Sequence, residues 1–140
     1  FVAGDRDEGN KSSINDQEFK ELKKKVTYLG NIDVPNELFR YDILINPSHH
    51  EGFSRVILEG AYVGLYCIAN DIPGTRGIIN DLQYGAVVEN NDINTYIELI
   101  RNFDRNKENL DVDKVRDKII KNYSSKAIAN KFSKIYSELC

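Results

Sequence analysis

At 140 residues, with 41% hydrophobic and 29% charged side chains, the chain has the size and make-up of one globular domain able to bury its own core. A net charge of -3 excludes a general electrostatic field for nucleic acid, so any anion has to be held by a local site. Two cysteines, Cys67 and Cys140, fit neither a disulfide framework nor a zinc spacing, which favours a reducing cytosol, and no apolar run approaches the roughly 20 residues that cross a bilayer.

The chain opens on Phe1-Val2-Ala3, which reads as the middle of a strand running into a turn at Gly4-Asp5, so we expect a fragment whose upstream part is missing. The polar stretch Arg6 to Asn15 reads as a loop, and Asp16 to Lys25 as a helix with Phe19 and Leu22 on its inner side and Lys23-Lys24-Lys25 at its solvated end. Val26 to Leu29 is a second short strand, stopped by Gly30-Asn31. Pro35 suits the first turn of a short helix through Arg40, because it lacks an amide proton that would be unpaired there. Ile43 to Asn46 is apolar on both sides and is expected to be a central strand.

Arg55 to Val63 reads as a helix closed by Gly64, and Leu65 to Ala69 as the fourth strand. Asn70 to Gly77, with Pro73-Gly74, is expected to be a turn-rich loop, and Ala86 to Val88 a fifth strand. Beyond it Asn94 to Phe103 and Asp113 to Leu139 read as helices. The stripe Val115, Ile119, Tyr123, Ile128, Phe132, Ile135 and Leu139 is expected to face the core. Strands and helices in alternation predict an α/β, doubly wound parallel sheet with helices on both faces, formed by a single domain over 1–140.

The chemistry concentrates in "HHEGFSRVILE", residues 49–59, directly after the third strand. In an open parallel sheet ligands bind outside the carboxyl ends of strands, which makes this the first place to look. Gly52 lets backbone approach a ligand, and Ser54 is expected to cap a helix whose first amides carry partial positive charge and suit a phosphate. Glu51 and Glu59 are eight residues apart. On one continuous helix they would lie about 80° out of line, which argues against a catalytic dyad on one face. With Glu51 in a loop and Glu59 in the second helical turn, about 7 Å of rise separates Glu59 from the helix start, and the pair can straddle a phosphate. A carboxylate accepts two hydrogen bonds at once, so a vicinal diol such as a ribose is a natural partner.

Glu-x(7)-Glu in the form "EGFSRVILE", preceded by "INPS" and followed by "GLYCIANDIPGTRGIINDLQYGAVV", resembles the carboxyl-terminal domain of retaining family 4 glycosyltransferases (glycosyl transferases group 1) of the GT-B fold. The resemblance also takes in "YLGNI" and "NYSSKAIANKFSKIYSEL" and runs from about Phe1 to Leu139. It implies a Rossmann-like second domain of a GT-B enzyme, binding a nucleotide diphosphate sugar, with UDP-sugar as the expected donor. It also implies a glycan or lipid-linked acceptor bound by a domain outside this chain, in bacterial surface-polysaccharide or lipid-linked oligosaccharide assembly. It further implies a cytoplasmic setting, with peripheral contact of the full protein at the inner membrane face, and neither a cofactor nor a metal. By position, Glu59 would bond the donor ribose, and the catalytic residue Glu51, with Gly52 and Phe53, would meet the transferred sugar largely through backbone amides. Amides near Ser54 and Arg55 would meet the diphosphate, and Gly30, Asn31 and Ile32 would hold the nucleobase through main-chain groups.

The arginine and lysine that the family usually supplies from its first strand-helix unit would lie upstream of Phe1, so we expect weak donor binding and no transfer by this chain alone. Position 50 is His50 where relatives often carry a small residue, and position 54 is Ser54 where glycine or proline is common. Several residues admit two readings. Glu51 either faces the sugar or braces its loop, Arg55 either pairs with the diphosphate or is solvated, and Gly74 and Thr75 lie either by the donor or in a tight turn. The pair His49-His50 lacks a third ligand at a metal-site spacing; His49 reads as solvent-facing or loop-bracing, and His50 as a contact to sugar or diphosphate. Two alternatives to a transferase stand beside it: a GT-B nucleotide-sugar epimerase, and a doubly wound binding module without catalysis.

Overall fold

The computed structural model describes residues 1–5, 13–104 and 111–139. Most of the expected Arg6 to Asn15 loop, and Cys140, lie outside the described residues. The chain divides into two compact units, Phe1–Glu37 and Leu38–Cys140.

In the first unit β1 (Val2–Ala3) pairs in parallel with β2 (Tyr28–Gly30), and α1 (Asp16–Lys25) connects them. A reciprocal cap starts α1. Asn15 Oδ1 accepts from the Gln17 and Glu18 amides at 2.9 Å, while Glu18 accepts from the Asn15 amide at 2.8 Å. Its inner side meets β2 as expected, with Phe19 edge-on to Tyr28 at 5.1 Å between ring centroids. β2 starts at Tyr28 rather than Val26, because Val26 closes α1 by donating its amide to Leu22 O. α2 (Val34–Glu37) follows, on the stretch where Pro35 predicted a short helix.

The second unit opens with a 3-10 turn at Leu38–Arg40 and builds one parallel sheet from β3 (Ile43–Asn46), β4 (Tyr66–Asn70) and β5 (Gly85–Val88), in the order β3-β4-β5. Among the described residues this unit carries five helices: α3 (Arg55–Val63), α4 (Pro73–Leu82), α5 (Ile93–Asn102), α6 (Val112–Tyr123) and α7 (Ser125–Leu139), the last packed on α6. Alternation along the strands sorts the two faces. Leu44, Cys67, Ala69 and Val87 pack under α3, α4 and α6 through Ile57, Ala61, Ile78, Leu82 and Val115. Ile43, Tyr66, Ile68 and Val88 pack under α5 through Tyr96 and Leu99. Helices on both faces of a parallel sheet make this the expected doubly wound, Rossmann-like α/β architecture.

Three expectations for this unit are corrected. Within this sheet β3 pairs on one side only, and β4 is the central strand, buried from Cys67 to Asn70. An apolar run does not fix rank in the sheet, and in this one Ile45 is exposed. The expected loop through Gly77 is in fact α4 from Pro73 onward; Pro73 occupies its first turn, where a missing amide proton costs nothing, and Thr75, Ile78, Ile79 and Leu82 form its buried stripe. The terminal helical stretch breaks at Ser124, whose extended backbone separates α6 from α7. Before the break Val115, Ile119 and Tyr123 belong to the core, while after it Phe132, Ile135 and Leu139 are exposed rather than packed.

Candidate functional site

The carboxyl ends of β3 and β4 both finish in a buried asparagine. Asn46 closes β3 and Asn70 closes β4, each after an apolar run. Buried polar side chains require partners, and these two find them in the loops that leave the sheet. Asn46 Nδ2 donates to Ser54 Oγ at 2.8 Å and lies 3.4 Å from Glu51 Oε1, while its Oδ1 accepts from the Ser48 amide at 3.2 Å. Asn70 Nδ2 donates to Ser48 O at 3.2 Å and its Oδ1 accepts from the Asn91 amide at 3.0 Å, and Asn91 Nδ2 reaches Pro47 O at 3.2 Å. Side-chain amides thus hold the 47–54 loop over the strand ends.

Two further contacts tie that loop to α4. The Ser54 amide donates to Gly74 O at 3.2 Å, and the Glu51 backbone lies directly over Gly74. Gly74 and Thr75 are both buried in the first turn of α4, so the tight-turn reading gives way to a helix start packed under the loop. Glu51 is half-buried, with its Oε1 also 3.4 Å from Ser48 Oγ, the placement of a loop brace. His49, His50, Gly52, Phe53, Arg55 and Glu59 are exposed. Among the described residues no group of three or more His, Cys, Asp or Glu is arranged to hold a metal ion.

The capping role expected for Ser54 is corrected. Ser54 occupies the N-cap position of α3, but its side chain accepts no hydrogen bond from the helix, because its buried hydroxyl is turned to Asn46. Among the described residues no side chain therefore caps the first turn of α3, and with the Ser54 amide engaged by Gly74 the amides at the helix start begin at Arg55. Glu59 sits one turn further along the same helix, about 6 Å in axial rise from Arg55.

Phe53 leans on α6, its ring centroid 5.9 Å from that of Tyr123. Tyr123 donates its hydroxyl to Asp81 Oδ2 at 2.8 Å, and Lys118 pairs with Asp81 Oδ1 at 3.0 Å. Burial, the bond to Asp81 and the Asp81 charge push the Tyr123 hydroxyl up to about 12. Burial works against ionisation of Asp81, but hydrogen bonds from Lys118 and Tyr123, the Lys118 charge and a bond from Asn122 outweigh it and hold the carboxyl below its ordinary value.

Residues 1–126 match the family "Glycosyl transferases group 1". The chain belongs to this family. It is 31% identical over 140 residues to an Escherichia coli protein named UDP-Gal:alpha-D-GlcNAc-diphosphoundecaprenol alpha-1,3-galactosyltransferase, covering 99% of this chain and 36% of that protein. It is also 31% identical over 91 residues to a Klebsiella pneumoniae protein described as an uncharacterized 41.2 kDa protein in the cps region, covering 63% of this chain and 25% of that one. The chain thus spans about a third or less of the length of these relatives.

The amides at the start of α3, which no described side chain caps, are hydrogen-bond donors of the kind an oxyanion can take. Gly30, Asn31 and Ile32 belong to the first unit, where Gly30 ends β2 with φ +68 and its carbonyl accepts the Gly4 amide at 2.8 Å. Sequence reasoning missed Asn46, Asn70 and Asn91. The signal for the first two was present, as an asparagine ending each of two otherwise apolar strands.

Proposed function

We propose that this chain is the nucleotide-sugar-binding part of a retaining glycosyltransferase that takes a UDP-sugar and passes the sugar to a glycan or lipid-linked acceptor. The observation that carries the reading is the uncapped start of α3 at the strand ends, with the Glu51 loop on one side and the exposed Glu59 a turn along the helix. The name of the Escherichia coli relative, which specifies a UDP-galactose donor and a diphosphoundecaprenol acceptor, supports the choice of uridine and of a lipid-linked acceptor. Among the described residues no helix is long and apolar enough to cross a membrane, so contact with a lipid-linked acceptor at the cytoplasmic face would be peripheral or made by another part of the protein.

In this mechanism the bond between the sugar and the diphosphate breaks with its electron pair going to the phosphate oxygen, through an oxocarbenium-like state. Negative charge grows on the leaving diphosphate, and the N–H groups from Arg55 onward are already aimed at it, so they stabilise the transition state more than the ground state. An acceptor hydroxyl then bonds to the sugar carbon and gives its proton to the phosphate oxygen that has just left it. Glu59 holds the ribose diol, while Glu51, Gly52 and Phe53 line the sugar, with His50 beside it. Gly30 to Ile32 hold the base.

The test is an amide NMR titration with UDP, GDP and ADP at millimolar levels, repeated on Glu59→Ala. Shifts at Gly30 to Ile32 and Gly52 to Glu59 with UDP, lost in the variant, are expected. Silence at those amides, both here and in a chain extended upstream to include the expected arginine and lysine, would sink the donor-site reading.

A further inference from the structure

Ser54 poses a question that the donor reading leaves open. A serine at the N-cap ordinarily turns its hydroxyl over the first turn and accepts from the second or third helical amide, here Val56 or Ile57. Those are among the N–H groups that a diphosphate would also take, so a capping serine and a bound oxyanion compete for the same donors. In this chain the competition does not arise. Ser54 is only 1% exposed, its hydroxyl accepts from Asn46 Nδ2 at 2.8 Å, and it makes no bond to the helix.

Asn46 is well placed to impose this. It is 7% exposed at the last position of β3, and its Oδ1 is fixed by the Ser48 amide at 3.2 Å, so its Nδ2 has one direction in which to point. That direction leads to Ser54 Oγ, with Glu51 Oε1 at 3.4 Å alongside.

We propose that Asn46 is a positioning residue for the donor site: by holding the Ser54 hydroxyl it keeps the first amides of α3 free for the diphosphate. The proposal rests on the donor reading of the α3 start given above. Asn46 touches no substrate in this account. It acts by denying the helix an internal cap, giving up the stability an N-cap ordinarily supplies in favour of anion binding.

The test compares wild type, Asn46→Leu and Asn46→Leu/Ser54→Ala in two measurements. Amide hydrogen exchange without ligand is expected to slow several-fold at Val56 or Ile57 in Asn46→Leu, as the released hydroxyl swings over to cap the helix. UDP affinity by NMR titration is expected to fall at least fivefold in Asn46→Leu and to recover in the double variant, where no cap can form. Recovery on removing a second side chain is a result that simple damage to the loop would not give. Asn46→Ala, which leaves room for a water beside Ser48 and Glu51, repeats the comparison should the leucine fail to fold. Unchanged exchange at both amides overturns the diversion of Ser54. A fall in affinity that Ser54→Ala does not relieve overturns the link to binding. If wild type binds no UDP even when extended upstream to include the expected arginine and lysine, the donor reading fails and the binding half of the proposal with it, while the exchange rates still decide whether Asn46 withholds the cap.

Discussion

A Cβ placed on Gly74 would lie 2.1 Å from the carbonyl oxygen of Glu51 and 2.9 Å from its Cβ. The first turn of α4 and the Glu51 loop therefore meet through bare backbone, and any side chain at position 74 forces one of them to move. Gly74→Ala is expected to destabilise the chain by about 1–3 kcal/mol, the usual scale of overpacking, and to weaken UDP shifts at Gly52 to Glu59. Gly77, three residues along the same helix, has open space where its Cβ would be. Gly77→Ala should stabilise by about 0.5–1 kcal/mol through helix propensity alone. Urea unfolding of the two variants side by side checks the pair, and equal shifts of the same sign would refute it.

The two glutamates of the motif are expected to separate by what their loss damages. Glu59 is exposed on α3, so Glu59→Ala should change stability by no more than about 0.5 kcal/mol while lowering UDP affinity roughly tenfold, the scale of a lost hydrogen bond to a charged group. Glu51 lies beside the Asn46 amide and the Ser48 hydroxyl, and Glu51→Ala leaves both without that acceptor. We expect Glu51→Ala to destabilise by about 1–2 kcal/mol, with Glu51→Gln avoiding most of that loss because an amide oxygen still accepts. Thermal unfolding and UDP titration of all three variants measure the separation.

Cys67 lies fully buried in β4, and burial pushes its thiol up to about 12. Thiolate is the reactive form, so the native chain should leave Cys67 unmodified by iodoacetamide at pH 8. A Cys140→Ser background makes Cys67 the sole thiol, and mass spectrometry reads the label. Modification within minutes under native conditions, at a rate close to that in urea, would mean that β4 opens readily.

Much of the fold was legible because one signal dominated each element. β3 was read with its observed limits from a three-residue apolar run closed by Asn46, and α3 from Arg55 to the left-handed Gly64. Where two signals conflicted, the local one misled. Pro73-Gly74 suggested a turn, although Thr75, Ile78, Ile79 and Leu82 carry the helical period just behind it. The stripe from Val115 to Leu139 reads as one face only while the helix is continuous, and the bend at Ser124 moves its second half into solvent. At the site, Ser54 looked like a cap because capping is a local rule, whereas its actual partner, Asn46, lies eight residues back on a strand. Sequence spacing does not show which of two nearby acceptors a buried amide will choose.

The Asp81, Lys118 and Tyr123 cluster joins the end of α4 to α6 and gives the stability of this chain a dependence on pH at both extremes. Asp81 is held below its ordinary carboxyl value in the folded state, so its contribution is present above about pH 4 and is lost as pH falls through the depressed value. Tyr123 moves the other way. Its hydroxyl, ordinarily near 10, is pushed up to about 12, so the folded chain keeps a proton that the unfolded chain gives up. Its contribution is complete below about pH 10 and disappears as pH rises toward 12. Tyr123→Phe removes both the hydroxyl and the bond to Asp81, and is expected to cost about 1 kcal/mol at pH 7. It should also flatten the alkaline arm, so that the gap of about 1 kcal/mol from wild type closes or reverses between pH 10 and 12. Lysines that titrate in the same range affect both proteins, so the difference between their urea midpoints isolates Tyr123. A difference that stays constant from pH 7 to 12 would show that the hydroxyl titrates alike folded and unfolded.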